Sequence, residues 1–132
     1  MGVYVMRVMT LNIWNYNEPW LERRELIAAL IRQYAPEVIG FQEIRLHKDR
    51  DAKNQAEQLA ELLPEYKHRV WQPAQVSSED RWEGLAVFSQ APITHSDHLP
   101  LTRDESDPRD APHQRIVLHA DIEWENGKKL AF

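Results

Sequence analysis

The sequence predicts an α/β domain with strands running in mixed directions. Three observations carry that expectation. Two apolar, β-branched runs, "RVMTLNIW" at 7–14 and "EVIGFQE" at 37–43, flank a stretch with helical spacing. A strand–helix–strand order of this kind implies a parallel pair joined by a crossover. Further on, an alternating run ends at Asn126-Gly127, a dipeptide that favours a tight hairpin and so an antiparallel pair. No internal repeat, low-complexity tract or interdomain linker interrupts the chain, so residues 1–132 are expected to form a single domain or part of one.

Each element has its own signal. The run from Arg7 to Trp14 reads as a buried strand, broken by "NYNEPW". Asn17 is the expected cap of the helix that follows, with Pro19 in its first turn. Leu26, Ile27, Leu30, Ile31 and Tyr34 share one helical face, which is expected to be the buried one, and Pro36 stops the helix. Val38–Glu43 is the second buried strand, and the charged residues 45–54 are expected as loop. Ala56, Leu59, Ala60 and Leu63 mark a second amphipathic helix, stopped by Pro64. Strands are expected at 66–72 and 83–89, with 73–82 as a loop between them. Residues 92–101 read as extended, 102–113 as an acidic, proline-bearing loop, and 114–124 as a strand. The closing strand, "KKLAF", is five residues long.

Composition narrows the function. The chain is 42% hydrophobic and 28% charged, ordinary for a globular domain. It has no cysteine, which excludes disulfides, thiolate metal sites and a cysteine nucleophile. No apolar run approaches the roughly 18 residues needed to span a bilayer. The first residues lack a leader pattern, so a cytoplasmic location is expected. A formal net charge of −5 does not favour a dedicated nucleic-acid binder, but it leaves room for a metal-dependent enzyme whose ligands are acidic.

"MRVMTLNIW", "PEVIGFQEIR" and "EGLAVFSQAPI", in that order, resemble stretches in the N-terminal half of the endonuclease/exonuclease/phosphatase family. "MRVMTLNIW" is similar to the family's opening strand with its Asn. "PEVIGFQEIR" is similar to the strand ending in Gln-Glu, and "EGLAVFSQAPI" to a glycine-led strand closed by Ser and Pro. "HQRIVLHADIE" adds an Arg-led strand. The resemblance implies part of a four-layer α/β/β/α sandwich with mixed β-sheets, this chain being the first half. It also implies that one sheet comes mostly from this half. The inner face of that sheet would then be partly bare, with self-association through it.

The resemblance implies metal-dependent hydrolysis of phosphate esters, with Mg²⁺ or Mn²⁺ as cofactor. Glu43 ends a buried strand at the carboxyl edge of the sheet, where open α/β sheets place ligands. A carboxylate there suits a hard cation that takes oxygen donors. By resemblance, Glu43 is a catalytic residue and metal ligand, and Asn12 contributes to the metal site or contacts substrate. Arg45 resembles a phosphate-contacting arginine, Arg115 the strand-leading arginine, and Glu83 a carboxylate that orients the catalytic histidine. Trp14 and Trp82 are expected to pack at the core or rim, or to line the cleft. The substrate is a phosphoester, whether a small molecule, a lipid head group or nucleic acid.

"SDHLP" at 96–100 matches the letters of the family's C-terminal Ser-Asp-His motif but not its place. In an extended segment Asp97 and His98 point to opposite faces, so they are not expected to form a catalytic pair. The motifs that carry the family's acid–base chemistry do not occur in these residues. The expectation is therefore a section of a longer phosphoesterase, active only with its second half. The alternative is a truncated or degenerate relative that binds phosphate or a partner without turnover.

Overall fold

A computed structural model describes residues 3, 5–110 and 112–132. Among these residues seven strands and two α-helices form two stacked sheets with the helices on one side. The order is β1 (Val8–Asn12), α1 (Trp20–Tyr34), β2 (Val38–His47), α2 (Gln55–Leu62), β3 (His68–Ser78), β4 (Arg81–Ser89), β5 (Ile93–Pro100), β6 (Ile116–Trp124) and β7 (Lys128–Ala131).

The first sheet is mixed, in the order β1-β2-β4-β3. β1 and β2 run parallel, from Val8 opposite Val38 to Asn12 opposite Gln42, as the crossover predicted. β2 runs past Glu43 to His47, beyond the expected strand end, because its register against β4 shifts between Phe41 and Ile44. The bulge sets Gln42 and Glu43 opposite the single residue Leu85, and Glu43 adopts φ 58°. The expected loop at 73–82 is instead the body of a long hairpin that turns at Glu79-Asp80. Pro73 does not break β3, because β3 is an edge strand and the proline stands beside a second register shift.

Helix α1 starts later and faces differently from the expectation. Pro19 occupies the cap position without a side-chain cap, while Asn17 donates to the Trp14 carbonyl and to Asn15 Oδ1. Trp20, Ala28 and Ile31 are buried, with Ile27 packed beside them, whereas Leu26, Leu30 and Tyr34 face solvent. The helix ends on Ala35 in the left-handed conformation (φ 45°), whose N–H returns to the Ile31 carbonyl 2.7 Å away, one residue before Pro36. Helix α2 begins with a capping box: Asn54 Oδ1 accepts from Glu57 N at 2.9 Å, and Glu57 Oε2 accepts from Asn54 N at 2.8 Å. Both helices pack on one face of the sheet through Ile13, Ile39, Phe41, Ile44, Leu59, Leu63, Tyr66 and Phe88.

The second sheet is antiparallel, in the order β5-β6-β7. Asn126 (φ 61°) and Gly127 (φ 73°) turn β6 into β7, as the dipeptide predicted. This sheet corrects the expectation that the chain supplies mostly one sheet. Val38 and Val87 of the first sheet pack against Ala120 and Ile122 of the second, with Leu118, Leu130 and Phe132 around them. Phe132 exchanges two backbone hydrogen bonds with Ala120, and its ring lies over Gly40. The chain thus contributes strands to both sheets, and the second sheet covers the first over β2 and β4, while Val8 on β1, the cross-strand partner of Val38, stays exposed. Ala111, within the expected acidic loop, lies outside the described residues.

Candidate active site

At Asn12 the two parallel strands part. β1 turns away into residues 13–17, and β2 continues through its bulge. Glu43 sits at that parting, half-buried, with its carboxylate held from two sides. Oε1 accepts from Asn12 Nδ2 and Oε2 from Asn15 Nδ2, each at 3.1 Å. No basic side chain neutralises it among the described contacts, so its charge faces the adjoining cavity.

The loop that carries Asn15 is held in an uncommon conformation. Trp14 (φ 58°) and Asn15 (φ 40°) both lie in the left-handed region, sparsely populated for a bulky residue. The guanidinium of Arg23 on α1 holds the loop by donating to the carbonyls of Ile13 (2.6 Å), Asn15 (3.0 Å) and Asn17 (2.5 and 3.0 Å). Arg23 also lies 5.6 Å from the Trp14 ring centroid, so the exposed Trp14 packs on a cation rather than in the core.

The cavity beside Glu43 has a volume of about 160 Å³. It gathers four of the five expected residues, namely Asn12, Glu43, Glu83 and Arg115, from β1, β2, β4 and the segment entering β6. Gln75 and Gln114 close one side, with Gln75 Oε1 accepting from Gln114 N at 2.8 Å, a contact that ties the first sheet to the second. Arg45 lines a neighbouring groove of about 220 Å³ that shares Gln75, Glu83 and His113 with the cavity. Arg45 and Glu83 are cross-strand partners, and Arg45 Nε meets Glu83 Oε2 at 2.8 Å. Trp82 lines this groove while packing against the main core.

Asn12 meets Glu43 through its amide nitrogen, because its Oδ1 accepts from Trp14 N at 2.8 Å. The side chain thus orients the carboxylate and offers N–H, not oxygen, toward the cavity. Sequence reasoning missed Asn15, Gln75 and His113. Asn15 reads as a turn residue, and the other two lie in segments taken for loop.

The "SDH" letters resolve differently from a dyad. Asp97 and His98 point to opposite faces of β5, as alternation requires. Asp97 Oδ1 instead meets His119 Nδ1 across the ladder at 2.9 Å, and Asp121 Oδ1 lies 2.9 Å from His119 Nε2. The Asp97 hydrogen bond, joined by Asp121, raises the His119 pKa above the ordinary imidazole value, and the same contact lowers that of Asp97. A raised histidine pKa means that the contact is fully present below the unfolded value of about 6.5 and is lost as pH rises through the folded one. An NMR titration is expected to show His119 protonating above the ordinary imidazole range, and Asp97→Asn to bring it down. An unchanged midpoint in that variant would show the contact to be idle.

Known proteins corroborate this architecture. The model of the Endonuclease/Exonuclease/phosphatase family matches residues 9–123. A family protein of solved structure from Beutenbergia cavernae is 24% identical with a TM-score of 0.80, over 96% of this chain and 36% of that one. A second, from Leptotrichia buccalis, is 21% identical with a TM-score of 0.74, over 97% and 53%. A mannosyl-6-phosphatase from Bacteroides thetaiotaomicron is 17% identical with a TM-score of 0.68, over 97% and 50%. The chain therefore spans about half or less of the length of these structures. A comparison with curated protein sequences finds no match. On the family match across most of its length, and on a fold shared with these structures, the chain belongs to the Endonuclease/Exonuclease/phosphatase family.

Proposed function

We propose that this chain forms the metal-binding part of a phosphoesterase that hydrolyses phosphate mono- or diesters. One observation carries the reading. An uncompensated carboxylate, Glu43, is fixed by two amides at the edge of a cavity that also holds Arg115. The name of the Bacteroides relative, a phosphatase, agrees with it.

The donor set fits Mg²⁺ or Mn²⁺. Among the described residues no group of three or more His, Cys, Asp or Glu side chains is placed to hold a metal ion, so a closed four-ligand site is absent there. A hard cation that binds one or two carboxylates and retains several waters matches a single fixed Glu beside amide groups. Such an ion supplies Lewis-acid neutralisation of the phosphate oxygens. Glu43 would hold it, and Asn12 would keep the carboxylate aligned while its N–H reaches the ion's waters or a phosphate oxygen. Arg115 would clamp phosphate oxygens with its planar fork. Glu83 would aim the Arg45 guanidinium along the adjoining groove and orient the histidine that the family resemblance implies. The acid–base group is not among these residues, so turnover is assigned to the full-length gene product.

Hydrolysis of a generic phosphodiester by that product, with and without divalent metal and alongside Glu43→Gln, tests the reading. Activity that chelator abolishes and Mg²⁺ or Mn²⁺ restores is expected. Metal-independent hydrolysis, or none of any phosphoester, would favour a relative that binds without turnover.

A further inference from the structure

The Glu43 carboxylate depends on Asn15, and Asn15 depends in turn on a residue buried behind it. Gln55 is the first residue of α2 and is fully buried. Its position is fixed by the Asn54 capping box immediately before it. A buried amide must satisfy both its ends, and Gln55 does so on the two backbone segments that flank Glu43. Oε1 accepts from Arg45 N at 3.0 Å, two residues beyond Glu43 on β2. Nε2 donates to the Asn15 carbonyl at 2.8 Å.

Both contacts take the place of missing strand pairing. β1 leaves β2 after Asn12, so the Arg45 N–H has no β1 residue opposite it, and the Gln55 side chain provides the acceptor. On the other side, the Asn15 carbonyl receives both Gln55 and Arg23, at 2.8 and 3.0 Å. Those two bonds fix the left-handed turn at Asn15, from which Nδ2 reaches Glu43 Oε2.

We propose that Gln55 is a positioning residue: it clamps the β2 bulge to the 13–17 loop and so sets the Glu43 carboxylate in its cation-binding orientation. This rests on the metal-binding reading of Glu43. Gln55 is too buried to meet substrate, and it acts through Asn15 and the Arg45 backbone. Outer partners of this kind typically change metal affinity 10- to 100-fold when removed.

The test is a double-mutant cycle in the full-length gene product, with Mn²⁺ as probe. Gln55→Leu removes both bonds at similar volume, and Asn15→Ala removes the Glu43 contact directly. Each is expected to weaken Mn²⁺ binding, followed by electron paramagnetic resonance of free ion, by about 10-fold or more. The double variant should lose less than the sum of the two single losses, because Gln55 reaches Glu43 in part through Asn15. Gln55→Glu, which keeps the acceptor for Arg45 N but loses the donor to Asn15, should fall between wild type and Gln55→Leu. It replaces Gln55→Leu in the cycle if the leucine variant does not fold. Unchanged Mn²⁺ affinity accompanied only by a lower Tm, or strictly additive losses, would overturn the proposal. A crystal structure of the Gln55 variant separates it from the reading beneath it. If the wild type binds no Mn²⁺ the metal reading fails, while a displaced Asn15 side chain still upholds the clamp and an undisturbed Asn15–Glu43 contact refutes it.

Discussion

Glu43→Gln is expected to lower kcat for a phosphodiester by about 100-fold or more, the scale on which single electrostatic groups in active sites act. The substitution keeps the shape of the side chain and one acceptor oxygen for Asn12 or Asn15. What it removes is the negative charge, which the described residues leave unpaired beside the cavity. The loss is therefore expected in catalysis and in the metal concentration needed for half-maximal rate, with the circular dichroism spectrum and Tm near wild type. Steady-state kinetics across a metal titration checks it. A variant with wild-type kcat and metal dependence would remove Glu43 from the chemistry.

Gly84→Ala is expected to be the most damaging small substitution in the first sheet. A Cβ at Gly84 would lie 2.1 Å from the Gln72 carbonyl oxygen, 2.8 Å from Pro73 Cα and 2.9 Å from the Gln72 carbonyl carbon. All three are backbone atoms of the paired strand, so relief requires β4 to move off β3. Overpacking of this kind costs about 1–3 kcal/mol, and a clash with backbone lies at the upper end or beyond. Glu83 precedes Gly84, so the same shift pulls at the Arg45 pair and at the cavity wall that both residues line. Gly40→Ala is the internal comparison: its Cβ would meet the Phe132 ring at 3.2 Å, a side chain that can turn aside. Urea unfolding should show Gly84→Ala losing clearly more stability than Gly40→Ala. Equal losses would mean that the strand approach at Gly84 is not tight.

The parts of the fold legible in the sequence were those set by local pattern. The parallel β1–β2 pair followed from two apolar runs around a helix, and the β6–β7 hairpin from Asn126-Gly127. The errors came where tertiary position overrode pattern. Pro73 reads as a strand breaker, yet an edge strand has a side where no N–H is required. Residues 45–47 read as loop because they open a charged stretch, yet they extend β2, where β4 still pairs with them. Leu26 and Leu30 form a plausible apolar stripe, but the helix seats on the neighbouring stripe of Trp20, Ile27, Ala28 and Ile31.

The candidate site divides the same way. Glu43 drew attention by position, because a charge closing a buried strand stands out, whereas Asn12 rested on the family resemblance. Arg115 and Glu83 rested on the family resemblance, and both line the cavity. Arg23, Asn15 and Gln55 carried no such signal. Their types are common at helix starts and turns, and most of their contacts are to backbone carbonyls and N–H groups, which a sequence does not display.

The central claim is that a hard divalent cation binds at the Glu43 carboxylate, beside Asn12 and Arg115. Anomalous scattering from crystals of the full-length gene product grown with Mn²⁺ tests it most directly. The account predicts a peak about 2.0–2.3 Å from a Glu43 oxygen, within the cavity, that is lost in Glu43→Gln. A Mn²⁺ peak held by other side chains while Glu43 keeps only its two amides would contradict it.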